Sequence, residues 1–154
     1  MTLIRQATMQ DANAICRIDA MVLGNTGRAQ ELREAVAAGH CYVASLDDGA
    51  VVGFVIMNQS FFKQSYIPYL IVHPHHQSKG IGQDLMLHME AVCTTEKLFT
   101  STNLSNKRML RLCQRLHYVQ SGMIDNLDPG DPEVFYCKKI RKRAKAIASP
   151  VQAI

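Results

Sequence analysis

Leu70-Ile71-Val72-His73-Pro74-His75-His76-Gln77-Ser78-Lys79-Gly80-Ile81-Gly82 is the stretch of this 154-residue chain from which the rest is read. An apolar run meets a tight, glycine-containing turn, and Ile81, Leu85, Met89 and Val92 then recur at helical spacing across residues 80–93. A strand therefore feeds an amphipathic helix. The first turn of such a helix offers unpaired backbone N–H groups and the positive end of the macrodipole, and glycine there lets an anion approach the backbone closely. The segment reads as a phosphate cradle. A Walker A loop would need GxxxxGKS/T, which is absent, and a dinucleotide fingerprint would need a third small residue where Leu85 stands.

Upstream, Thr8-Met9-Gln10-Asp11 has the form of a capping box, and Ile15, Ile18 and Val22 follow at helical spacing after a short strand at residues 3–6. A second helix is expected over residues 28–38, with Leu32, Ala35 and Val36 inward and Gly39 as its stop. Residues 41–46 and 50–57 form a hairpin about Asp47-Asp48-Gly49. The strand at 66–73 is almost continuously apolar and is expected to be buried on both faces. Pro68 within it lacks a ladder donor, so it marks a bulge or a place where neighbouring strands part. Downstream, residues 97–102 form a strand. Ser105 or Asn106 caps a fourth helix carrying Met109, Leu112, Cys113 and Leu116 inward, and strands at 118–124 and 133–140 finish the chain. The order βααβββαβαββ predicts a mixed, α+β fold in which four helices cover a sheet of about seven strands.

Composition narrows the function classes. At 47% hydrophobic and 19% charged, the chain is a folded protein of one domain, expected over residues 1–140, with a basic tail at 141–154. No apolar run approaches the ~18 residues that span a bilayer. The start of the chain lacks the pattern of a signal peptide, so a cytoplasmic protein with no membrane partner is expected. Five cysteines without a CxxC pair suggest reduced thiols and no zinc knuckle. His73, His75 and His76 share one turn and cannot all converge on a metal, so no metal is expected. The net charge of +4 matches the four basic residues Arg141, Lys142, Arg143 and Lys145, which leaves 13 basic against 13 acidic residues in the body. A neutral body with a short basic tail argues against a nucleic-acid partner.

The pattern Q-x-x-G-x-G at Gln77 to Gly82, behind an apolar strand and a Val-x-Pro step, resembles that of the GNAT superfamily of acyl-CoA-dependent N-acyltransferases. The resemblance begins at Ile4-Arg5-Gln6-Ala7-Thr8 with Asp11, resumes at Ser105-Asn106, and covers residues 2–140. It implies a GNAT-like fold whose mixed, mostly antiparallel sheet splays between the fourth and fifth strands. The co-substrate would be acetyl-CoA. Its pyrophosphate would lie on the N–H groups of Ser78, Lys79, Gly80, Ile81, Gly82 and Gln83, next to Gln77. Its pantetheine arm would pair with the backbone of Leu70, Ile71 and Val72, and Asn106 would touch it from the fourth helix.

The resemblance also shows where catalytic groups would sit. Members that acetylate protein N-termini often carry a glutamate near the end of the fifth strand, where this chain has Ser101. Some that acetylate lysines have a carboxylate on the fourth strand, where counting back from Gln77 gives Tyr66. Many have a tyrosine seven residues after the asparagine to protonate the leaving thiolate, and here that residue is Cys113. Cys113 has two readings, a proton donor or a core thiol on the inward stripe of its helix. The expected reaction is acetyl transfer to a primary amine, in a small molecule or peptide, by direct attack in a ternary complex. Residues 22–30 and 125–132 would shape the acceptor side, where Asp125, Asp128, Asp131 and Glu133 favour a cation. A non-catalytic acyl-CoA-binding module and an RNA-directed acetyltransferase are the rival readings, and a homodimer through the last strands is compatible with the family.

Overall fold

A computed structural model describes residues 2–140; the basic segment 141–154 lies outside the described residues. The elements are β1 (Leu3–Gln6), α1 (Ala12–Leu23), α2 (Ala29–Ala37), β2 (Cys41–Ser45), β3 (Val51–Phe61), β4 (Gln64–Val72), α3 (Ile81–Val92), β5 (Lys97–Asn103), α4 (Lys107–Arg115), β6 (Val119–Ile124) and β7 (Glu133–Lys139). The seven strands form one sheet in the order β1-β2-β3-β4-β5-β7-β6. All neighbours are antiparallel except β4 and β5. This is the mixed sheet with four helices that the element order predicts, and its mostly antiparallel pairing is the one the resemblance implies.

Alternation along the strands sends successive side chains to opposite faces. Cys41, Val43, Phe54 and Ile56 pack with Ile15 and Ile18 of α1 and Leu32 and Val36 of α2. Val52, Val55, Ile67, Leu98 and Tyr136 face the other way, onto Leu85, Met86 and Met89 of α3 and Leu112 and Cys113 of α4. The α3 layer lies close: a Cβ built on Gly53 would meet Ile71 O at 3.2 Å and the Ile81 side chain at 3.3 Å, so only glycine lets β3 and α3 approach this far.

Local chemistry sets the element ends. Asp11 accepts from Thr8 N–H at 2.8 Å, as the capping box requires, and Arg5 holds the same carboxylate through bonds of 2.8 and 2.9 Å. Gly24, at φ +89°, closes α1 in the left-handed region. Asn106 is the cap of α4, its side chain accepting from Met109 N–H at 3.2 Å.

Four expectations need correction. Val22 is exposed, because the inward stripe of α1 ends at Ile18 and Asp19 while the last turn overhangs the gap beside β4. In β4 only Ser65 and Ile67 are buried, since beyond them the strand borders an open cleft. The β3–β4 hairpin runs longer than the apolar pattern indicates, with Phe61 opposite Gln64. Its two-residue turn is Phe62-Lys63, both at positive φ, a geometry normally signalled by Asn or Gly. Tyr118 precedes β6 rather than forming part of it, and its hydroxyl donates to Glu90 at 3.0 Å.

Candidate functional site

β4 and β5 pair only at Ser65, Tyr66 and Ile67 against Leu98, Phe99 and Thr100, and then diverge. The cause lies in β4. Tyr66 pairs with Asn58 and Tyr69 with Ile56, which leaves one residue too many on β4, at the Ile67-Pro68 step. Past the bulge, Leu70, Ile71 and Val72 stay paired to β3 on one edge, and their other edge faces the gap. The Thr100 hydroxyl, itself buried, donates to Ile67 O at 3.0 Å and fixes the vertex.

The gap opens into a cleft of about 770 Å³. Leu70, Ile71, Val72, Gln77, Ser78, Gly80, Ile81, Gly82, Gln83 and Asn106 all line it, which brings together every expected cofactor residue except Lys79. Lys79 is exposed on the turn. Ser78 and Gly80 take positive φ of 63° and 85°, turning the chain so that α3 points its N-terminus at the cleft. The first amide that α3 satisfies is that of Asp84, which donates to Gly80 O at 3.0 Å, so the N–H groups of Ile81, Gly82 and Gln83 form its open end. A Cβ on Gly82 would meet Leu112, Val72 and Leu70 at 3.6 to 4.0 Å, all of them cleft side chains, so it would project into the cleft.

α4 forms the opposite wall with a row of cations that sequence reading missed. Arg108, Arg111 and Arg115 line the cleft one helical turn apart. Arg108 donates to Gln77 and Arg115 to Gln83, so α4 is tied to both sides of the turn. Three guanidinium groups across from a helix N-terminus make an anion-binding wall. The signal was present at i, i+3 and i+7, but the neutral charge sum of the body concealed it.

Asn106 lines the cleft while its side chain is engaged, donating to Thr102 at 3.0 Å as well as capping α4. Tyr66 and Ser101 meet at the vertex, Oη to Oγ at 2.7 Å, and Ser101 donates to Glu133 Oε2 at 2.6 Å. Alternation places all three on the sheet face opposite α3 and α4, where Tyr66 clusters with Phe61 and Phe135, whose rings also stack on each other. Cys113 is fully buried in the α3–α4 core, and burial pushes its thiol up to about 12. His73 accepts from His75 N–H at 3.1 Å and caps the turn before the cradle. The acids of the loop before β7 hold that loop in place: Asp131 accepts from the Ser105 hydroxyl at 2.6 Å and Asp128 from Asn103 at 2.9 Å.

Similarity to other proteins agrees with this geometry. The profile of the Acetyltransferase (GNAT) family matches residues 10–118. A GNAT-family acetyltransferase from Bacillus cereus superposes with a TM-score of 0.87 at 30% identity, covering 92% of this chain and 99% of that one. The protein yncA of Salmonella typhimurium, solved with its cofactor acetyl-CoA, superposes at 0.81 with 19% identity, over 97% of this chain and 99% of that one. NAA60 of Arabidopsis thaliana, in complex with a bisubstrate analogue, superposes at 0.76 with 14% identity, over 90% of this chain and 98% of that one. No curated protein sequence matches.

Proposed function

The chain belongs to the acetyltransferase (GNAT) family, and on that premise we propose that it moves an acetyl group from acetyl-CoA to a primary amine, with both substrates bound together. The observation that carries this reading is the meeting of three features in one cleft: the open edge of β4, the bare N–H groups of α3 and the arginine row of α4. Acetyl-CoA has matching parts. Its pantetheine arm carries amides that pair with a strand edge, and its phosphates suit a helix N-terminus faced by guanidinium groups.

In this pose the backbone of Leu70, Ile71 and Val72 aligns the arm. The thioester then lies toward the β4–β5 vertex, and Ile81, Gly82 and Gln83 hold the pyrophosphate. Arg108, Arg111 and Arg115 neutralise the phosphates. The acceptor enters from the opposite face, between the α1–α2 connection and the loop before β7. Arg28 lies over the Tyr69 ring at 4.4 Å there and pairs with buried Asp19 at 2.5 Å, which fixes that connection against β4. The bisubstrate analogue held by the Arabidopsis relative supports a ternary complex.

Once the neutral amine attacks the thioester carbon, C–N forms, C–S breaks and the electron pair leaves on sulfur. Cys113 has no part in protonating that thiolate. Its thiol is sealed in the α3–α4 core, and burial pushes it up, which makes it a poor donor to a thiolate of ordinary basicity. We assign it to the core. Orientation of the two substrates supplies most of the rate.

The test is release of free CoA thiol when the protein and acetyl-CoA are mixed with a panel of amino acids, aminoalkyl compounds and peptides. Amine-dependent release is expected. Tight binding of acetyl-CoA with no release across the panel would count against transfer.

A further inference from the structure

We propose that Tyr66, Ser101 and Glu133 form a path that takes a proton from the incoming ammonium group, ending at the Glu133 carboxylate. This rests on the reading of the chain as an N-acetyltransferase. The chemistry calls for such a group: an alkylamine with an ordinary pKa of ~10.4 is neutral in only about 10⁻³ to 10⁻⁴ of molecules at pH 7. Resemblance alone points to Tyr66 on β4 and Ser101 on β5, and neither side chain is a base at neutral pH. The structure supplies a carboxylate from a third strand, β7.

The hydrogen bonds have only one consistent direction. Ser101 has a single hydroxyl hydrogen, and it goes to the Glu133 carboxylate at 2.6 Å. Ser101 Oγ must therefore accept from Tyr66 at 2.7 Å. Tyr66 Oη has then given its hydrogen away and presents lone pairs to anything entering at the vertex. Burial pushes the Tyr66 phenol up, so it stays protonated and can relay a proton. Phe61 and Phe135 stack on Tyr66, centroids at 5.4 and 6.3 Å, and hold its ring in place.

The surrounding charges leave Glu133 free for this role. Asn103 and Ile124 pair across from it on β5 and β6. Asp128 is bound by Asn103 and Asp131 by Ser105. Tyr66 faces Phe61, Phe99 and Phe135. Among the described residues, Cys137 and the paired Lys97 and Lys139 lie at the opposite end of the β5–β7 pair, and Tyr69 lies past the β4 bulge under Arg28, which is itself paired with Asp19.

The step balances. The ammonium gives one proton to Tyr66 Oη, Tyr66 passes its own to Ser101, and Ser101 passes its own to Glu133, leaving a neutral amine. The amine lone pair forms the C–N bond, the C–S electrons leave on sulfur, and a second amine proton neutralises the thiolate. The products are amide, free CoA thiol and protonated Glu133, which is half-exposed and discharges to solvent.

The experiment measures kcat against pH for wild type, Glu133→Gln, Glu133→Asp and Ser101→Ala, using an alkylamine acceptor found by thiol release, with acetyl-CoA titration as the folding control. Expected is a drop of about 100-fold in kcat for Glu133→Gln at neutral pH, with KM for acetyl-CoA unchanged. That gap narrows to a few-fold as pH rises toward the amine pKa, because solvent then supplies the neutral amine. Ser101→Ala should follow the same profile, and Glu133→Asp should recover part of the rate. An equal loss at every pH, or no loss, overturns the path. Binding of acetyl-CoA by wild type without thiol release from any amine overturns the reading of function, and the path with it.

Discussion

The Thr100 hydroxyl donates to the Ile67 carbonyl at 3.0 Å, at the last rung where β4 and β5 are paired. Pro68 follows at once, so this bond anchors the strand immediately before it turns away. Thr100→Val keeps the shape and removes the donor at a buried site. Loss of such a bond costs about 1 to 3 kcal/mol. Urea unfolding should show that loss, together with a weaker Kd for acetyl-CoA, since the vertex sets the width of the cleft. Unchanged stability would mean that the bond does not hold the vertex.

Asp19 is almost wholly buried and its charge is met by Arg28, which also covers Tyr69. Removing one partner of a buried pair leaves an uncompensated charge and typically costs about 3 to 5 kcal/mol. Arg28→Met should therefore destabilise the protein by roughly 3 kcal/mol, since Arg28 is itself partly exposed. The double variant Asp19→Leu with Arg28→Met should recover much of that loss. Thermal unfolding of the three variants checks both statements.

Asp11 sits between Arg5 and the Thr8 amide, and the Arg5 hydrogen bonds hold its carboxyl below the usual carboxylate range. A group depressed in the folded state adds stability above its unfolded pKa, ~3.9, and that stability fades as pH falls through the lower folded value. The urea midpoint should drop on acidification below about pH 4. In Asp11→Asn that part of the slope should flatten. A variant with the wild-type slope would locate the acid sensitivity elsewhere.

The arginine row makes binding depend on salt. Arg111→Ala, at the centre of the row, should weaken acetyl-CoA binding about tenfold, or ~1.4 kcal/mol, and reduce the change in Kd between low and high salt. Titration of acetyl-CoA at two ionic strengths reads both effects. Equal Kd values for variant and wild type would remove α4 from the phosphate site.

The features legible in the sequence are those written in local chemistry. The Thr8 to Asp11 box, the helical stripes and the strand-turn-helix at residues 70–82 each place their own backbone, and Pro68 marked the splay because a missing N–H has only a few structural outcomes. The rest depends on contacts between distant residues. Glu133 meets Ser101 only through the β5–β7 register, across 32 positions of chain. Arg108, Arg111 and Arg115 are visible as a helical row but become a wall only when α4 packs beside α3. The Phe62-Lys63 turn carries no Gly or Asn, so its left-handed geometry, imposed by the flanking strands, left no mark.

Acetyl-CoA is proposed to lie in the cleft between β4 and β5, against the N-terminus of α3. Calorimetric titration of acetyl-CoA into wild type and Gly82→Ala tests this placement most directly. The added methyl is in ordinary contact with Leu112, Val72 and Leu70, so the protein tolerates it, and Ala in place of Gly stabilises a helix by up to ~1 kcal/mol. Expected are saturable binding to wild type and at least a roughly tenfold weaker Kd in a variant that folds as well or better, because the methyl stands where phosphate would approach the backbone. Undetectable binding to wild type, or equal affinity in the two proteins, would contradict it.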